Sequence, residues 1–426
     1  MSPGSGPGMG LAGRLAHREG TPRRGVAEAS VVRPSPRRGG PRAGYVREAI
    51  ELPVARRDGR PAALGGDLDA LDLPTAPALA RALSTLARMP AEGLDPRNPA
   101  VMLDLETTGL LGQAGTVACV VGVASYVALD RMRVEQWSLH RVGAEGAMLA
   151  DLDATLRARM TGRTAFVTFN GGSFDLPLLR RRLVRHGIYP PTEDPLRAPH
   201  VDLLPPARRL WRDRGPDCRL GTLELRHLRL PREGDVSGAE VVELLWRWLE
   251  APDPDAAADL ARVERHNRID VLSLAALAEA MHTRLLQPQD AIERLRAARH
   301  HDRLDRAERA LTVLAPLLEG LERGTARGSS PLVEAGLLAA EIERRRGRPR
   351  DAARRWAQVC RMAPGDPVAH DALAKHLEHQ ARRPDAALVV ALASVTPCER
   401  RLARLRKKAG GSTGLGLGPL LDELAV

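Results

Sequence analysis

The chain has 426 residues, 43% of them hydrophobic but only 3% aromatic, a length that holds two or three domains and a real core filled by aliphatic side chains. Its net charge of +11 favours acidic partners such as nucleic acid, although residues 1–44, with eight Arg and two Glu, carry +6 of it. Cys119, Cys218, Cys360 and Cys398 are far apart and form no CxxC pair, which argues against a disulfide framework or a zinc site. No apolar run reaches membrane-spanning length and the N-terminus lacks a signal-peptide core, so the expectation is a soluble, cytoplasmic protein.

Residues 1–44 are rich in Gly, Pro, Ser and Arg without periodicity and read as a disordered arm, either a nucleic-acid-attracting extension or a dispensable one. A lead-in over 45–98 holds a short extended piece, YVREAIELPV, and a helix near ALARALSTLARM. An α/β domain over 99–286 follows. NPAVMLDLETTG, TVACVVGVASYVAL (116–129) and RVEQWSLHRV (133–142) read as three strands with short turns, an antiparallel meander. EGAMLADLDATLRARM reads as a helix, TAFVTFN as a strand, and LPLLRRRLVRHG as a helix stopped at Gly187. The order βββαβα predicts an α/β sheet covered by helices. From 290 to 410 the pattern is helical. Asp351-Ala352-Ala353 recurs 34 residues on as Asp385-Ala386-Ala387, and Pro331 and Pro367 precede helices 36 apart, the period of tetratricopeptide helix pairs, with an unrelated helical bundle as the alternative. Residues 411–426 read as a flexible tail.

The chemistry is concentrated in three places. In VMLDLETTGL (101–110), Asp104 and Glu106 are two apart on a strand and share a face with Met102. Side-by-side carboxylates repel and resist burial unless a cation joins them; a solvated edge strand is the plainer reading. In FVTFNGGSFDLPLL (166–179), Asp175 follows a Gly-Gly turn at a helix start, where taken alone it reads as a cap, and Asn170 as a turn residue. In RVERHNRIDVLSLAAL (262–277), Val263, Asn267, Asp270, Leu274 and Leu277 form one helical stripe, with His266 a turn before Asp270. An exposed helix flank, or a His–Asp hydrogen bond closing a core, accounts for that stripe equally. If the four carboxylates converge, they suit two divalent cations about 4 Å apart, one activating water and one stabilising the leaving oxygen. Mg²⁺ and Mn²⁺ prefer such oxygen ligands, and a nearby His can take the proton.

VMLDLETTGL, FNGGSFDLPLLRRR and HNRIDVLSL together resemble the three motifs of the DEDD, or DnaQ-like, 3′–5′ exonucleases of the RNase H-like fold, and are most similar to the bacterial YprB-like group. That group also resembles the chain at HVDLLPPARRLWRDRGPDCRLGTLE (200–224) and GDVSGAE (234–240). The resemblance covers about residues 46–286, and loosely the tail, which in that group is often tetratricopeptide-like. It implies an RNase H-like mixed sheet covered by helices, followed by an all-α tetratricopeptide-like region. Asp104, Glu106, Asp175 and Asp270 become metal ligands for Mg²⁺ or Mn²⁺, and His266 the general base. Thr107, Thr108, Gly109 and Asn170 lie near the terminal nucleotide. His266 precedes Asp270 with three residues between: the spacing follows the subtype with Tyr and the residue follows the subtype with His.

The implied activity is metal-dependent 3′–5′ hydrolysis of single-stranded DNA or RNA ends, with a protein partner on the helical tail and no membrane. The alternative is an inactive RNase H-like scaffold that binds nucleic acid or protein. A third reading makes the tail the main business, regulated by the front domain. Arg180, Arg181, Arg182 and Arg185, and Arg208, Arg209, Arg212 and Arg214, are candidates for phosphate contacts or for solvated helix faces. Asp202 is expected to cap the next helix rather than to bind metal.

Overall fold

Alternating apolar residues on three consecutive segments build the antiparallel side of a six-stranded mixed sheet. The computed structural model describes residues 44–54, 71–109, 115–188, 194–324, 330–410 and 416–425; the arm expected over 1–44 lies, but for its last residue, outside them. β1 (Tyr45–Pro53) pairs antiparallel with β4 (Arg131–Leu139), β4 with β3 (Ala118–Ala128), and β3 with β2 (Ala100–Thr107). On its other side β2 runs parallel to β5 (Ala165–Thr168), and β5 parallel to β6 (His200–Asp202), giving the order β1-β4-β3-β2-β5-β6. The extended piece at 45–53, placed by the sequence in a lead-in, is therefore an edge strand of the sheet.

Helices cover both faces. On one, Val101, Leu103, Val121, Val123, Trp137 and Phe166 pack with α2 (Glu145–Arg159) and α3 (Asp175–Arg185). Gly187, at φ +67°, takes the left-handed position just beyond α3 that a side chain resists. On the other face Met102, Ala124, Val134 and Val167 pack with α1 (Ala76–Leu86) and α7 (Pro254–Leu286). α4 (Leu204–Trp211) follows β6. The short α5 (Leu220–Leu223) runs into a π-helical turn at Glu224–Leu228. α6 (Gly238–Glu250) begins with a capping box between Ser237 and Glu240, and Asp253 caps α7 with Pro254 in its first turn.

The rest is helical: α8 (Ala291–Arg303), α9 (Ala307–Arg323), α10 (Ser330–Arg345), α11 (Pro349–Met362), α12 (Pro367–His379), α13 (Pro384–Leu392), α14 (Glu399–Lys408) and α15 (Leu417–Ala425). α8 packs against α4, α7, α9 and α10, and the apolar core under the sheet continues through Leu295 and Leu314 to Leu420 without a break. Arg306 donates to Ser84, Thr85 and Ala87 carbonyls at the end of α1, filling acceptors a helix C-terminus leaves open. Within the stretch read as a flexible tail, Leu417–Ala425 form a helix. The glycines ahead of it hid Leu420 and Leu421, which are buried as α15 packs on α11; each such burial is worth about 1.5–3 kcal/mol. Among the described residues no helix is long and apolar enough to cross a membrane.

Candidate active site

β2 turns its even-numbered residues to one face. Ala100 and Met102 are in the core, and Asp104 and Glu106 extend that face to the strand's end. Across the ladder Asp104 stands opposite Gly122 and Glu106 opposite Val120. α7 crosses this spot. Asn267 Nδ2 donates to Asp104 Oδ2 at 2.8 Å and to the Asp104 carbonyl at 3.2 Å, while Asn267 Oδ1 accepts from Gln136 Nε2 at 3.0 Å. Asp175 is the first residue of α3, and its Oδ1 accepts from the Leu105 main-chain N at 3.2 Å, which pins the helix start to β2. Taken alone it read as a cap; in the fold it is a carboxylate bonded to the strand that carries the paired acids.

α7 brings the remaining two groups. His266 Nε2 is 3.8 Å from Glu106 Oε1 and 3.7 Å from Asp270 Oδ2, and the donor atoms of Glu106, His266 and Asp270 lie within 4.8 Å of one another, a spacing that suits a metal ion. The opposite edge of the imidazole is held by Asp235, whose Oδ1 is 2.7 Å from Nδ1. A protonated Nδ1 donates to that carboxylate, and Nε2 faces Glu106 and Asp270.

One cation is built in. The buried Arg232 guanidinium donates to Asp270 Oδ1, to Glu224 Oε1 at 2.5 Å and to Asp235 Oδ2 at 3.2 Å, and its Nη1 is 3.1 Å from His266 Nδ1. Glu224, on the π-helical turn, also accepts from Ser273. Burial opposes the charge on Arg232, but Asp270 and Glu224 outweigh it and hold the guanidinium protonated.

The acids are far from their ordinary behaviour. Burial, and then the charges of Asp270 and Asp175, push Asp104 well up. Glu106 is raised by burial and by Asp104, Asp270 and Asp175. Asp175 is pushed up to about 7, chiefly by burial, against its two backbone hydrogen bonds. At His266 burial opposes protonation, but the Asp235 hydrogen bond and the Asp270 charge raise it on balance. Four crowded carboxylates with one imidazole and one guanidinium are short of positive charge. An oxygen-rich donor set of this kind fits a hard divalent cation.

The substrate-side candidates are placed as follows. The Thr107 hydroxyl donates to the Gly109 carbonyl at 2.8 Å, the Thr108 hydroxyl accepts from Val117 N at 3.0 Å, and the Thr108 carbonyl accepts from Trp246 Nε1 at 2.9 Å. Both hydroxyls thus hold the turn leaving β2. Asn170 is exposed at φ +68°, ending the strand before the Gly-Gly turn. Its N–H and that of Gly172 donate to the Asp202 carboxylate, which also accepts from Leu204 N; Asp202 stands one residue before the cap position of α4, which Leu203 holds. Arg180 and Arg182 pair with Asp194 and Glu145, and Arg214 with Asp290, so these three serve structure.

Sequence reasoning assigned no role to Glu224, Arg232, Asp235 or Gln136. Glu224 and Asp235 lie inside GTLE and GDVSGAE, so a signal was there, but only the fold shows that these loops close over α7. Residues 101–282 match a family model described as the RNase H superfamily. Over 201 residues the chain is 34% identical to a Bacillus subtilis (strain 168) protein described as "Uncharacterized protein YprB"; the match covers 46% of this chain and 45% of that one, so the chain spans about half the length of this relative. The sheet with its helices is thus RNase H-like in fold, and an all-helical region follows it.

Proposed function

We propose that the protein is a metal-dependent 3′–5′ exonuclease acting on single-stranded nucleic acid. The observation that carries this reading is the convergence of Asp104, Glu106, Asp175 and Asp270 with His266 at the end of one strand. Asp104, Glu106, Asp175 and Asp270 would hold Mg²⁺ or Mn²⁺, with His266 close enough to Glu106 and Asp270 to share a ligand position. When bound, such cations supply Lewis acidity toward a phosphodiester and its leaving oxygen. His266 takes a proton at Nε2, the Asp235 carboxylate steadies the resulting imidazolium through Nδ1–H, and Asn267 fixes the orientation of Asp104. The turn at Thr107–Gly109 and Asn170 would border the strand terminus. The helical region, with α10–α11 and α12–α13 as two successive tetratricopeptide-like pairs, would seat a protein partner, in the cytoplasm.

A second reading, a binding scaffold without catalysis, is favoured by one feature: Arg232 already supplies Asp270 with positive charge. The deciding assay uses 5′-labelled single-stranded and duplex DNA and RNA with Mg²⁺, Mn²⁺ or EDTA. A ladder from the 3′ end that needs metal and disappears in Asp104→Ala supports the exonuclease; intact substrate throughout, with folded protein, supports the scaffold. Activity persisting in His266→Ala would remove His266 from the base role alone.

A further inference from the structure

The acidic cluster has a counterpart of opposite sign where α4 meets α8. A cleft of about 470 Å³ there is lined by Arg208, Arg209, Arg212, Arg296, Arg299 and Arg303. Asp213, the carboxylate lining it, is taken by Arg296 at 2.9 Å, and Arg299 pairs with Glu334 at 2.6 Å. Among the described residues the side chains of Arg208, Arg209, Arg212 and Arg303 have neither an acidic partner nor a hydrogen bond, and all four are exposed. In the helical region Arg345 is answered by Asp302, Arg355 by Glu322 and Arg361 by Asp422, and the arginines left without an acid, such as Arg350, Arg354 and Arg400, stand on exposed helix faces outside the cleft. Partial desolvation and the like charge of Arg303 both push Arg209 below its ordinary value, so the cleft holds repulsion that an anion would relieve.

We propose that this arginine cleft is a phosphate-binding site for the backbone of a nucleic-acid strand, separate from the acidic cluster and completed by the helical region. Arg208, Arg209 and Arg212 come from the RNase H-like domain and Arg303 from α8, so neither part forms the site alone. Guanidinium groups match phosphate oxygens in pairs, and several of them side by side suit a chain of phosphates better than a single one. His300 supplies the cleft's one aromatic ring; that ring is buried and hydrogen-bonded to Thr85, so the lining offers no aromatic platform for a base. Binding here is indifferent to base and sugar, and it positions rather than reads the strand. Short strands reach the acidic cluster without the cleft; longer ones gain both. The proposal rests on the nuclease reading only in naming the strand.

The test measures binding of labelled oligo-dT and oligo-U, over a graded series of lengths, to the full chain in EDTA. The variant is Arg208→Gln/Arg212→Gln/Arg303→Gln. The control, Arg350→Gln/Arg354→Gln/Arg400→Gln, removes equal charge from exposed helical positions outside the cleft, and thermal melts verify that both fold. Wild type should bind long strands more tightly than short ones. The cleft variant should lose that gain, about tenfold or more at low salt, with a salt slope shallower by about 2, alike for DNA and RNA, while the control stays near wild type. A cleft variant indistinguishable from the control, or no gain with length in wild type, overturns the proposal. So does a variant that keeps its strand affinity and loses only inorganic triphosphate. Because no metal is present, the two readings separate. A cleft that binds as expected in a protein that cleaves nothing sinks the nuclease and keeps the site; cleavage with an inert cleft does the reverse.

Discussion

Gly122 has no side chain because Asn267 occupies the place of one: a Cβ built on Gly122 would come 2.2 Å from Asn267 Oδ1. Gly122 is also the ladder partner of Asp104, so the glycine admits the amide that holds that carboxylate. Gly122→Ala should force α7 off the sheet at this point. Expected are a loss of about 1–3 kcal/mol of stability, as for other overpacked cores, and weaker Mn²⁺ binding. Denaturant melts and calorimetric titration with Mn²⁺ measure both; wild-type values in the alanine variant would show that α7 adjusts freely.

Arg232→Met would leave Glu224 and Asp270 buried without their cation. Removing one partner of a buried ionic network costs about 3–5 kcal/mol, so the melting temperature in EDTA should fall. Excess Mn²⁺ should then raise it by more in the variant than in wild type, because a bound ion restores the missing charge. Equal small shifts in both chains would argue that no ion binds beside Asp270.

Asp235→Asn keeps the shape beside His266 but withdraws the carboxylate that orients the ring. Outer-sphere changes of this kind cost about 10- to 100-fold. The expected loss is in kcat for strand cleavage, with KM nearly unchanged and a shifted acid limb in the pH profile. A change in KM alone would mean that Asp235 only shapes the substrate path.

His300 and His301 join α8 to α1 and α7 through Nε2, on the Thr85 and Leu285 carbonyls, and the Nδ1 of each is buried without a partner. Burial first, then nearby Arg209, Arg303 and Arg306 for His300, and His300, Arg306 and Arg309 for His301, depress both to about 4. An unfolded histidine titrates at about 6.5. The neutral rings therefore contribute stability above that value, which is lost as pH falls from about 6.5 toward 4. Thermal melts across this window should show the decline, and His300→Gln/His301→Gln should flatten it.

Much of the sheet was legible. The β-branched run at 116–129 and the alternation at 133–142 became β3 and β4, and the two acids of LDLET did share a face, because strand period alone decides that. β1 and β6 were not read as sheet strands: β6 has three residues, too few for a pattern, and the pairing of β1 is made by a partner strand 78 to 94 residues away. The site divided likewise. The acids of the strand announced themselves, whereas Arg232 sits among Arg229, Glu233 and Asp235, and Glu224, though flanked by Leu223 and Leu225, acquires meaning only when its turn folds over α7.

α7 runs for 33 residues, about 50 Å at 1.5 Å per residue. His266 and Asp270 stand near its middle, and its C-terminal end lies against α8 within the core that continues to α15. One continuous helix thus carries the candidate site residues near its middle and the packing of the helical array at its end. A helix displaced at its α8 end would carry that displacement, along its own backbone, toward the His266–Glu106 contact.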